Sequence, residues 1–496
     1  MHMSVANVVI IFSIFSSAEP YSGQPHIVFF VVDDLGWNDV GYHNSYIKTP
    51  TIDMLAKSGV RLNNYYVASH CVPSRNMLIS GRHVIDIGLQ HGEIGYYPRG
   101  LPLDEFTIAD KLKEIGYATH LIGKWHCGCY SNHSLPHNRG FDTFFGYLGS
   151  SDDHYTHIIM SNGLADLRLN DECVGYKYFG DYSTIMYANE AKNIIAQHDE
   201  NKPLFLMLAF SAVHKPIQVP DVYMQYYKST IHDNERRTYA GMASCVDEAI
   251  ANITEALENK GMLKNSVIVL TTDNGGGSVG NNWPLRGRKN SHWEGGVRGV
   301  AFVYSDLLPM DVRGTENSEL MHITDWFPTL VKLGGGNPCE RKNLYGVDQW
   351  EMIRGMEPSA RGEVLIALDT TRKASEEYRT GPFKYDKFDI TTFAAIKMGK
   401  WKLLTGDSTY RNFWDMPDPE YGVIDDEDFD DTRMVRLYDL VDDPSERTDV
   451  SEERQDIVHE MLAKLDGYEK AAVPPQMQTK PRLDNHVLEC MGPWID

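Results

Sequence analysis

Apolar residues recur in two textures over the first two thirds of the chain: short unbroken runs that end in turn residues, and longer stretches with apolar positions three or four apart. Residues 26–32 are such a run, ending at Asp33-Asp34-Leu35-Gly36. Residues 203–213 and 266–271 have the same form, the latter followed by Asp273-Asn274-Gly275-Gly276-Gly277, and shorter runs occupy 118–123 and 297–304. Runs of this length read as strands buried on both faces. Between them the period becomes helical. Ile108, Leu112 and Ile115 share a face over 107–116, with Gly116 as a stop. Met242, Val246, Ile250, Ile253 and Leu257 do so over 237–260, closed by Gly261. Residues 325–333 read as a further helix, capped by Thr324 or Asp325, with Pro328 in its first turn.

Strands separated by helices predict an α/β fold with a mostly parallel central sheet and helices on both faces. After Gly336 the texture changes. Residues 394–404 and 435–440 read as strands of a smaller α+β unit with its own small antiparallel sheet, and the acidic, turn-rich stretch 415–431 reads as a solvated loop. The expected organisation is a main unit over 24–336 and a C-terminal subdomain over 337–496. Ahead of both, residues 5–15 are apolar apart from Asn7 and Ser13, and Ser16-Ser17-Ala18 follows. That order fits a secretory signal peptide over 1–18, and the sequons at Asn132 and Asn252 fit a glycoprotein of the same compartment.

Composition narrows the function. With 42% hydrophobic and 23% charged residues the chain is an ordinary folded protein rather than a disordered one. Against 69 acidic residues stand 47 basic ones, a net charge of -22, which excludes the basic footprint that nucleic-acid binding needs. Without an unbroken apolar run of about 18 residues, no transmembrane anchor is expected. Seven cysteines are too few for a disulfide scaffold, and the odd count leaves at least one thiol unpaired within the chain.

Candidate chemistry sits where strands end. Ligands bind beyond the carboxyl ends of parallel strands, and two of these ends carry Asp33-Asp34 and Asp273-Asn274. Three carboxylates and an amide oxygen suit a hard divalent cation such as calcium or magnesium, although Asp and Asn are also ordinary turn formers. Cys71-Val72-Pro73-Ser74-Arg75 lies between a polar turn and a helical run, 76–79, that ends at Ser80-Gly81-Arg82. Cys71 could be a buried structural thiol, or a thiolate nucleophile at a helix N-terminus with Arg75 one turn on.

The segment also resembles the activation motif of the sulfatases, C-x-P-S-R followed by a short apolar helix and [ST]-G-R. Other stretches resemble motifs of that family in its order. Asp33-Asp34-Leu35-Gly36 and Thr272-Asp273-Asn274-Gly275-Gly276 are similar to its two metal-binding turns. Gly123-Lys124-Trp125-His126-Cys127-Gly128 resembles G-K-W-H-L-G with Cys127 in place of Leu, and Val213-His214-Lys215-Pro216 resembles the substrate-side histidine loop. Asn282-Trp283-Pro284-Leu285-Arg286-Gly287-Arg288-Lys289 and then Trp293-Glu294-Gly295-Gly296-Val297-Arg298 are similar to the arylsulfatase B branch, with its arylsulfatase I and J relatives. Leu437-Tyr438-Asp439-Leu440 and Asp443-Pro444 resemble the C-terminal subdomain motif.

The resemblance implies an alkaline-phosphatase-like fold and a sulfuric ester hydrolase, with 24–336 as its catalytic domain. It implies that the formylglycine-generating enzyme of the secretory pathway oxidises Cys71, and that one calcium ion is held by Asp33, Asp34, Asp273, Asn274 and residue 71. It implies that a hydroxyl of hydrated formylglycine attacks sulfur and that the second hydroxyl later expels sulfate. Arg75 would stabilise the hydrate, and Lys124 and Lys289 would hold sulfate oxygens. His126 would take the proton at elimination, and His214 would protonate the leaving oxygen. The implied substrates are aryl sulfates or 4-sulfated N-acetylgalactosamine, met in a secreted or lysosomal setting. Loops 150–157 and 375–385 are the expected selectors among sulfated small molecules and glycans. Two alternatives stay open: a phosphoester hydrolase of the wider superfamily, and a sulfated-glycan-binding protein without turnover.

Overall fold

The computed structural model describes residues 23–493 apart from 45, 91–97, 161–162, 339–343, 385, 409, 419–420 and 477–489. The expected signal peptide, 1–18, lies outside the described residues, as does Cys339.

Ten strands form the main sheet: β1 (His26–Val32), β2 (Val60–Leu62), β3 (Ala118–Lys124), β4 (Thr143–Tyr147), β5 (Arg168–Leu169), β6 (Glu172–Cys173), β7 (Leu204–Phe210), β8 (Ser266–Thr272), β9 (Ala301–Ser305) and β10 (Thr315–Asn317). Their order is β10-β2-β9-β8-β1-β7-β3-β4-β5-β6. The five central strands, β8-β1-β7-β3-β4, are all parallel. Toward the edges the direction reverses: β9 runs antiparallel to β8 and β2, and β5 to β4 and β6. Register explains where the chemistry collects. Val32 lies opposite Phe210 on one side and Thr272 on the other, so β1, β7 and β8 end level.

Alternation along β1 feeds two cores. Val28, Phe30 and Val32 pack with Met242, Val246, Ile250, Ile253 and Leu257 of the long helix, whereas Ile27, Phe29 and Val31 pack with Met77, Leu112 and Leu330. The helices that matter here are α1 (Pro50–Ser58), α2 (Cys71–Ser80), α3 (Ile108–Glu114), α4 (Ser183–Gln197), α5 (Asn234–Asn259) and α6 (Trp326–Leu333). Thr107 caps α3 in a reciprocal capping box with Asp110, and Asp233 caps α5. Among the described residues no helix is long and apolar enough to cross a membrane.

The C-terminal sheet is antiparallel, β11 (Glu363–Lys373), β12 (Thr392–Met398), β13 (Trp401–Thr405) and β14 (Val435–Asp439). One face buries Val458, Met461, Leu462 and Leu465 of α7 (Gln455–Ala471). The other docks on the main unit through Val364, Ile366, Leu404 and Tyr438 against Tyr66, Trp293 and Val297. A disulfide joins Cys173 to Cys490.

Four local readings of the sequence are corrected. Residues 394–404 are not one strand, because Gly399, at φ +53°, turns the chain between β12 and β13. Residues 297–304 begin not as a strand but at the end of a helical turn, Glu294–Val297, whose glycines press against backbone carbonyls at 286–288 and 291. Asp325 stands at the N-cap position of α6 but makes no side-chain cap bond; its carboxylate instead takes the His322 N–H and the Arg361 guanidinium. Finally, the acidic stretch after 415 is not wholly solvated. Asp415 is buried against Arg288 Nε (2.5 Å) and Asn282 N (2.6 Å), and Asp418 against Arg236 and Asn44.

Candidate active site

Three turns meet beyond the level ends of β1, β7 and β8. Asp33 N donates to Ala212 O and Val213 N to Asp33 O, which pins the turn after β1 to the turn after β7. Asp34 follows at φ +59°, a left-handed conformation that Asp tolerates better than most side chains. After β8, Gly275 passes so close to its neighbour that a Cβ there would lie 1.8 Å from Gly295 O, so only glycine fits. At the end of β3, Gly123 has φ +96° and would set a Cβ 2.0 Å from Ala209 O; its tight approach carries Lys124 into the same space. The helix α2 begins at Cys71 itself rather than at 76, which puts residue 71 and Arg75 one turn apart on one face.

All the residues singled out by sequence converge here, and all but Lys289 are buried. Asp33 Oδ2 accepts from Lys124 Nζ at 2.6 Å, and its Oδ1 lies 3.6 Å from Cys71 Sγ. Asp34 Oδ1 accepts from Lys289 Nζ at 2.5 Å and from Asn274 Nδ2 at 2.7 Å. Lys289 Nζ also reaches Cys71 Sγ at 3.2 Å. Arg75 is locked on Asp273, with Nε at 2.9 Å, and donates to the Lys124 carbonyl. His214 Nε2 lies 3.7 Å from Asp34 Oδ2, while its Nδ1 sits 2.7 Å from the Lys215 carbonyl. A carbonyl can only accept, so the proton is on Nδ1 and the lone pair of Nε2 faces Asp34.

Burial and charge set the protonation states. Burial would raise Asp33, but Lys124, with His214 and Arg75 behind it, holds its carboxyl well below the usual range. Against its burial, Lys289 and His214 lower the Asp34 carboxyl as well. Asp273 goes the other way, to about 6, through burial and the like charge of Asp33, which outweigh Arg75. Burial pushes the Cys71 thiol up to about 12 in spite of Lys124 and Lys289. The side chain is therefore a neutral thiol at neutral pH, and the thiolate-nucleophile reading loses its support. Burial, with Lys124 and Arg75 nearby, keeps His126 well below its ordinary value; burial and Lys289 take His214 down to about 4. Both imidazoles are neutral.

The donor set fits a hard cation. Ligand atoms of Asp33, Asp34, Cys71 and His214 lie within 4.8 Å of one another. Asn274 Oδ1 is buried beside them with no hydrogen-bond donor, an orphan that a cation would satisfy. Asp273 is turned toward Arg75 and stands outside that close group, whereas His214, which the sequence offered as a proton donor, stands inside it.

Sequence missed three supporting residues. The Tyr239 hydroxyl on α5 lies 3.0 Å from the Asp34 carbonyl oxygen and 2.6 Å from Asp39 Oδ2, bracing the first turn. His154 is buried with Nε2 3.1 Å from the His214 carbonyl, so loop 150–157 supports a site residue. Arg411 lines a pocket of about 150 Å³ together with Asp34, His214 and Lys289. None of the three lies in a motif; His154 alone falls in a segment the sequence singled out, loop 150–157, and there as an expected substrate selector rather than as a support. The segment 375–384 lines neither this pocket nor the larger cavity next to it, which takes its C-terminal wall from residues 366–372 and Phe393.

Comparison with known proteins gives the same answer as the geometry. The Sulfatase family matches residues 25–336. The chain is 43% identical to arylsulfatase J of Mus musculus over 493 residues, which cover 95% of this chain and 81% of that protein. It is 26% identical to the N-acetylgalactosamine-6-sulfatase of Homo sapiens, over 92% of this chain and 87% of that one. The crystal structure of Ps i-CgsB in complex with k-i-k-neocarrahexaose superposes with a TM-score of 0.76 at 28% identity, covering 92% of this chain and 95% of that one. The structure of a phosphonate monoester hydrolase of Agrobacterium radiobacter, 17% identical with a TM-score of 0.59, shares the fold alone. With the family matched over residues 25–336 and 43% identity to an arylsulfatase held along nearly the whole chain, the protein belongs to the sulfatase family and is a sulfuric ester hydrolase.

Proposed function

We propose that the enzyme works with a formylglycine made from Cys71 and one calcium ion, and that it cleaves sulfate esters of the aryl or 4-sulfated N-acetylgalactosamine type. The observation that carries this reading is the gathering of Lys289 and Asp33 on Cys71 Sγ beside the donorless oxygen of Asn274. A thiol that stays protonated at neutral pH has no use for two lysines, one of them buried, and three buried carboxylates around it. A hydroxyl on the same carbon does.

Asp33, Asp34, Asp273, Asn274 and residue 71 would hold the ion, which would polarise the sulfate and lower the pKa of an adjacent hydroxyl. Formylglycine hydrate would supply that hydroxyl at position 71. The rest is the work of side chains already in place. Asp33, Asp34 and Asp273 are matched by Arg75, Lys124 and Lys289, so the protein's own charges cancel. A dication then leaves an excess that suits an ester anion together with an ionised hydroxyl. Lys124 and Lys289, which now hold Asp33 and Asp34, would hold sulfate oxygens, and Arg75 is a fixed positive charge behind position 71. Neutral His126, with Nδ1 lacking a partner, is ready to accept a proton when sulfate leaves. His214 has its bare Nε2 toward the pocket and would carry a proton to the leaving oxygen once the ester's charge favours the imidazolium.

Maturation of Cys71 would require the secretory pathway and its formylglycine-generating enzyme, a route to a secreted or lysosomal enzyme in which the Cys173–Cys490 disulfide persists. Within that setting Asn132 is exposed and Asn252 half-buried on α5, so the first is the better glycosylation acceptor. Turnover of a small aryl sulfate and of the matching aryl phosphate, before and after calcium chelation, tests the reading. Sulfate hydrolysis that falls on chelation and returns with calcium is expected. Faster phosphate turnover would overturn it, and no turnover of either would favour a glycan-binding protein.

A further inference from the structure

The chain that leaves β4 touches both histidines given a proton-carrying part, and two buried acids hold that chain. His126 N donates to Leu148 O at 3.2 Å, and His126 itself sits at φ +53°, a left-handed conformation that is strained for most side chains and needs a tether. Further along, His154 Nε2 lies 3.1 Å from the His214 carbonyl and its Nδ1 2.9 Å from Ser183 Oγ. A carbonyl can only accept, so His154 carries its proton on Nε2 and donates it to the His214 backbone. Gln218 accepts from His154 N and donates to Asp153 Oδ2 at 2.7 Å, which closes the loop on the segment that follows His214.

The two acids are Asp152 and Asp166. Asp166 takes Leu148 N on one oxygen at 3.0 Å and Gly149 N on the other at 2.7 Å, so it fixes the residue whose carbonyl holds His126. The chain then doubles back: Asp152 pairs with Ile159, Ile158 with Ala165, and Asp166 N donates to His157 O. That fold brings the Asp152 carboxyl into the field of Asp166, and neither Asp152 oxygen has a hydrogen-bond donor.

The nearby cations are committed elsewhere. Lys124 faces Asp152 but binds Asp33 at 2.6 Å, and Arg168, near Asp166, donates to the carbonyls of Asp171, Met491 and Gly492. The other groups that face the pair, Asp153, Tyr147, Tyr187 and the Cys129 thiol, bring no positive charge. A buried carboxylate with neither donor nor counter-charge is far costlier than a neutral carboxylic acid. Burial and the charge of Asp166 accordingly push Asp152 well above the usual carboxylate range, and burial raises Asp166 to about 7 against its two amide donors and Arg168.

We propose that Asp152 and Asp166 are a positioning pair for His126 and His214, on the reading that those histidines carry protons in sulfate ester hydrolysis: while Asp152 stays uncharged the segment 148–157 holds both, and a second charge beside Asp166 loosens both together. Neither acid touches the ester. Asp166 acts through Leu148, and Asp152 through the loop that bears His154. The native pair keeps protons that the unfolded chain releases near pH 4, so its contribution to stability, and the hold on both histidines, falls as pH rises from there through neutrality.

The test is hydrogen exchange of the full chain, read by mass spectrometry on peptides spanning 148–157 at about pH 5.5 and about pH 8.5, corrected for the intrinsic rate and set beside kcat and KM for a small aryl sulfate. Wild-type protection in that segment should fall about tenfold or more at the higher pH, and kcat should fall with it while KM holds. Asp152→Asn, uncharged at every pH, should keep at the higher pH both the protection and the larger share of kcat that the wild type loses. Equal wild-type protection at both pH values, a loss spread evenly over the chain, or a loss of the same size in Asp152→Asn would overturn the proposal. Where Asp152→Asn does not fold, the wild-type pattern alone decides, since the loss must centre on 148–157 and its contacts at 126 and 214. Exchange needs no turnover: absence of aryl sulfate hydrolysis at either pH would sink the catalytic reading, while the exchange pattern still decides whether the pair holds the segment.

Discussion

Replacing Lys289 by Met removes one ammonium from the site and keeps most of the alkyl stem. That ammonium stands 2.5 Å from Asp34 Oδ1 and 3.2 Å from Cys71 Sγ, with 13% of the side chain exposed. For a charge about 4 Å from a developing negative charge, an effective dielectric near 20 gives about 4 kcal/mol. Removal of one preorganised donor typically costs about 2.7–4 kcal/mol of transition-state stabilisation. The two figures agree, and Lys124 on Asp33 remains to take part of the load, so kcat on a small aryl sulfate should fall about 10²- to 10³-fold. The assay is steady-state turnover at saturating calcium. It requires equal conversion of position 71 in both proteins, shown by mass spectrometry, and an unfolding midpoint that shows the fold intact. Lys289→Met with wild-type kcat would refute the assignment of Lys289 to the sulfate. A loss only in KM would move it from transition-state stabilisation to ground-state binding.

Other perturbations reach different parts of the structure. Arg236 is fully buried between Asp39 and Asp418, so Arg236→Ala strands two carboxylates and should cost about 3–5 kcal/mol in denaturant unfolding; an unchanged midpoint would show that the cluster is not a tie between α5 and the C-terminal loop. Calcium should raise the melting temperature of the wild-type protein, and Asn274→Leu, which removes the donorless oxygen, should abolish most of that rise; an undiminished rise would take Asn274 out of the ligand set. Asp247 accepts from Thr51 N and Ile52 N, and burial raises its carboxyl to about 6 from the model-compound 3.8. The native state therefore binds more protons than the unfolded chain between those values, and this group's contribution to stability falls as pH rises through that window. Asp247→Asn should flatten the slope of unfolding free energy against pH between 4 and 6, and an unaltered slope would contradict the assignment.

Much of the main sheet was legible because unbroken apolar runs have few other uses: His26–Val32 was read with its bounds, and the strands at 118, 204 and 266 within three residues at either end. The edges were less so. A run such as 297–304 cannot reveal that Gly295 and Gly296 fit under carbonyls from another loop, or that the strand after them runs antiparallel. Asp415 and Asp418 looked like a solvated face because their partners, Arg288 and Arg236, are more than a hundred residues away in the chain. The same distance hid Arg411 from the catalytic pocket. Asp33, Asp34, Asp273 and Asn274 were legible because they follow strand ends, and Cys71 because it precedes a helical run; Lys289 does neither. The pairing of Asp273 with Arg75 rather than with the other acids was not legible, because it depends on which side of Asp273 the guanidinium arrives.

The central claim is that position 71 works as an aldehyde. A mass spectrum of the tryptic peptide 62–75, from protein secreted by a eukaryotic cell, decides it most directly, with a known sulfatase from the same cells as the control for the oxidising machinery. Conversion of Cys71 to formylglycine, in step with aryl sulfate turnover, is the expected result. A thiol at position 71 while the control is converted would contradict the claim and leave a sulfatase fold without its nucleophile.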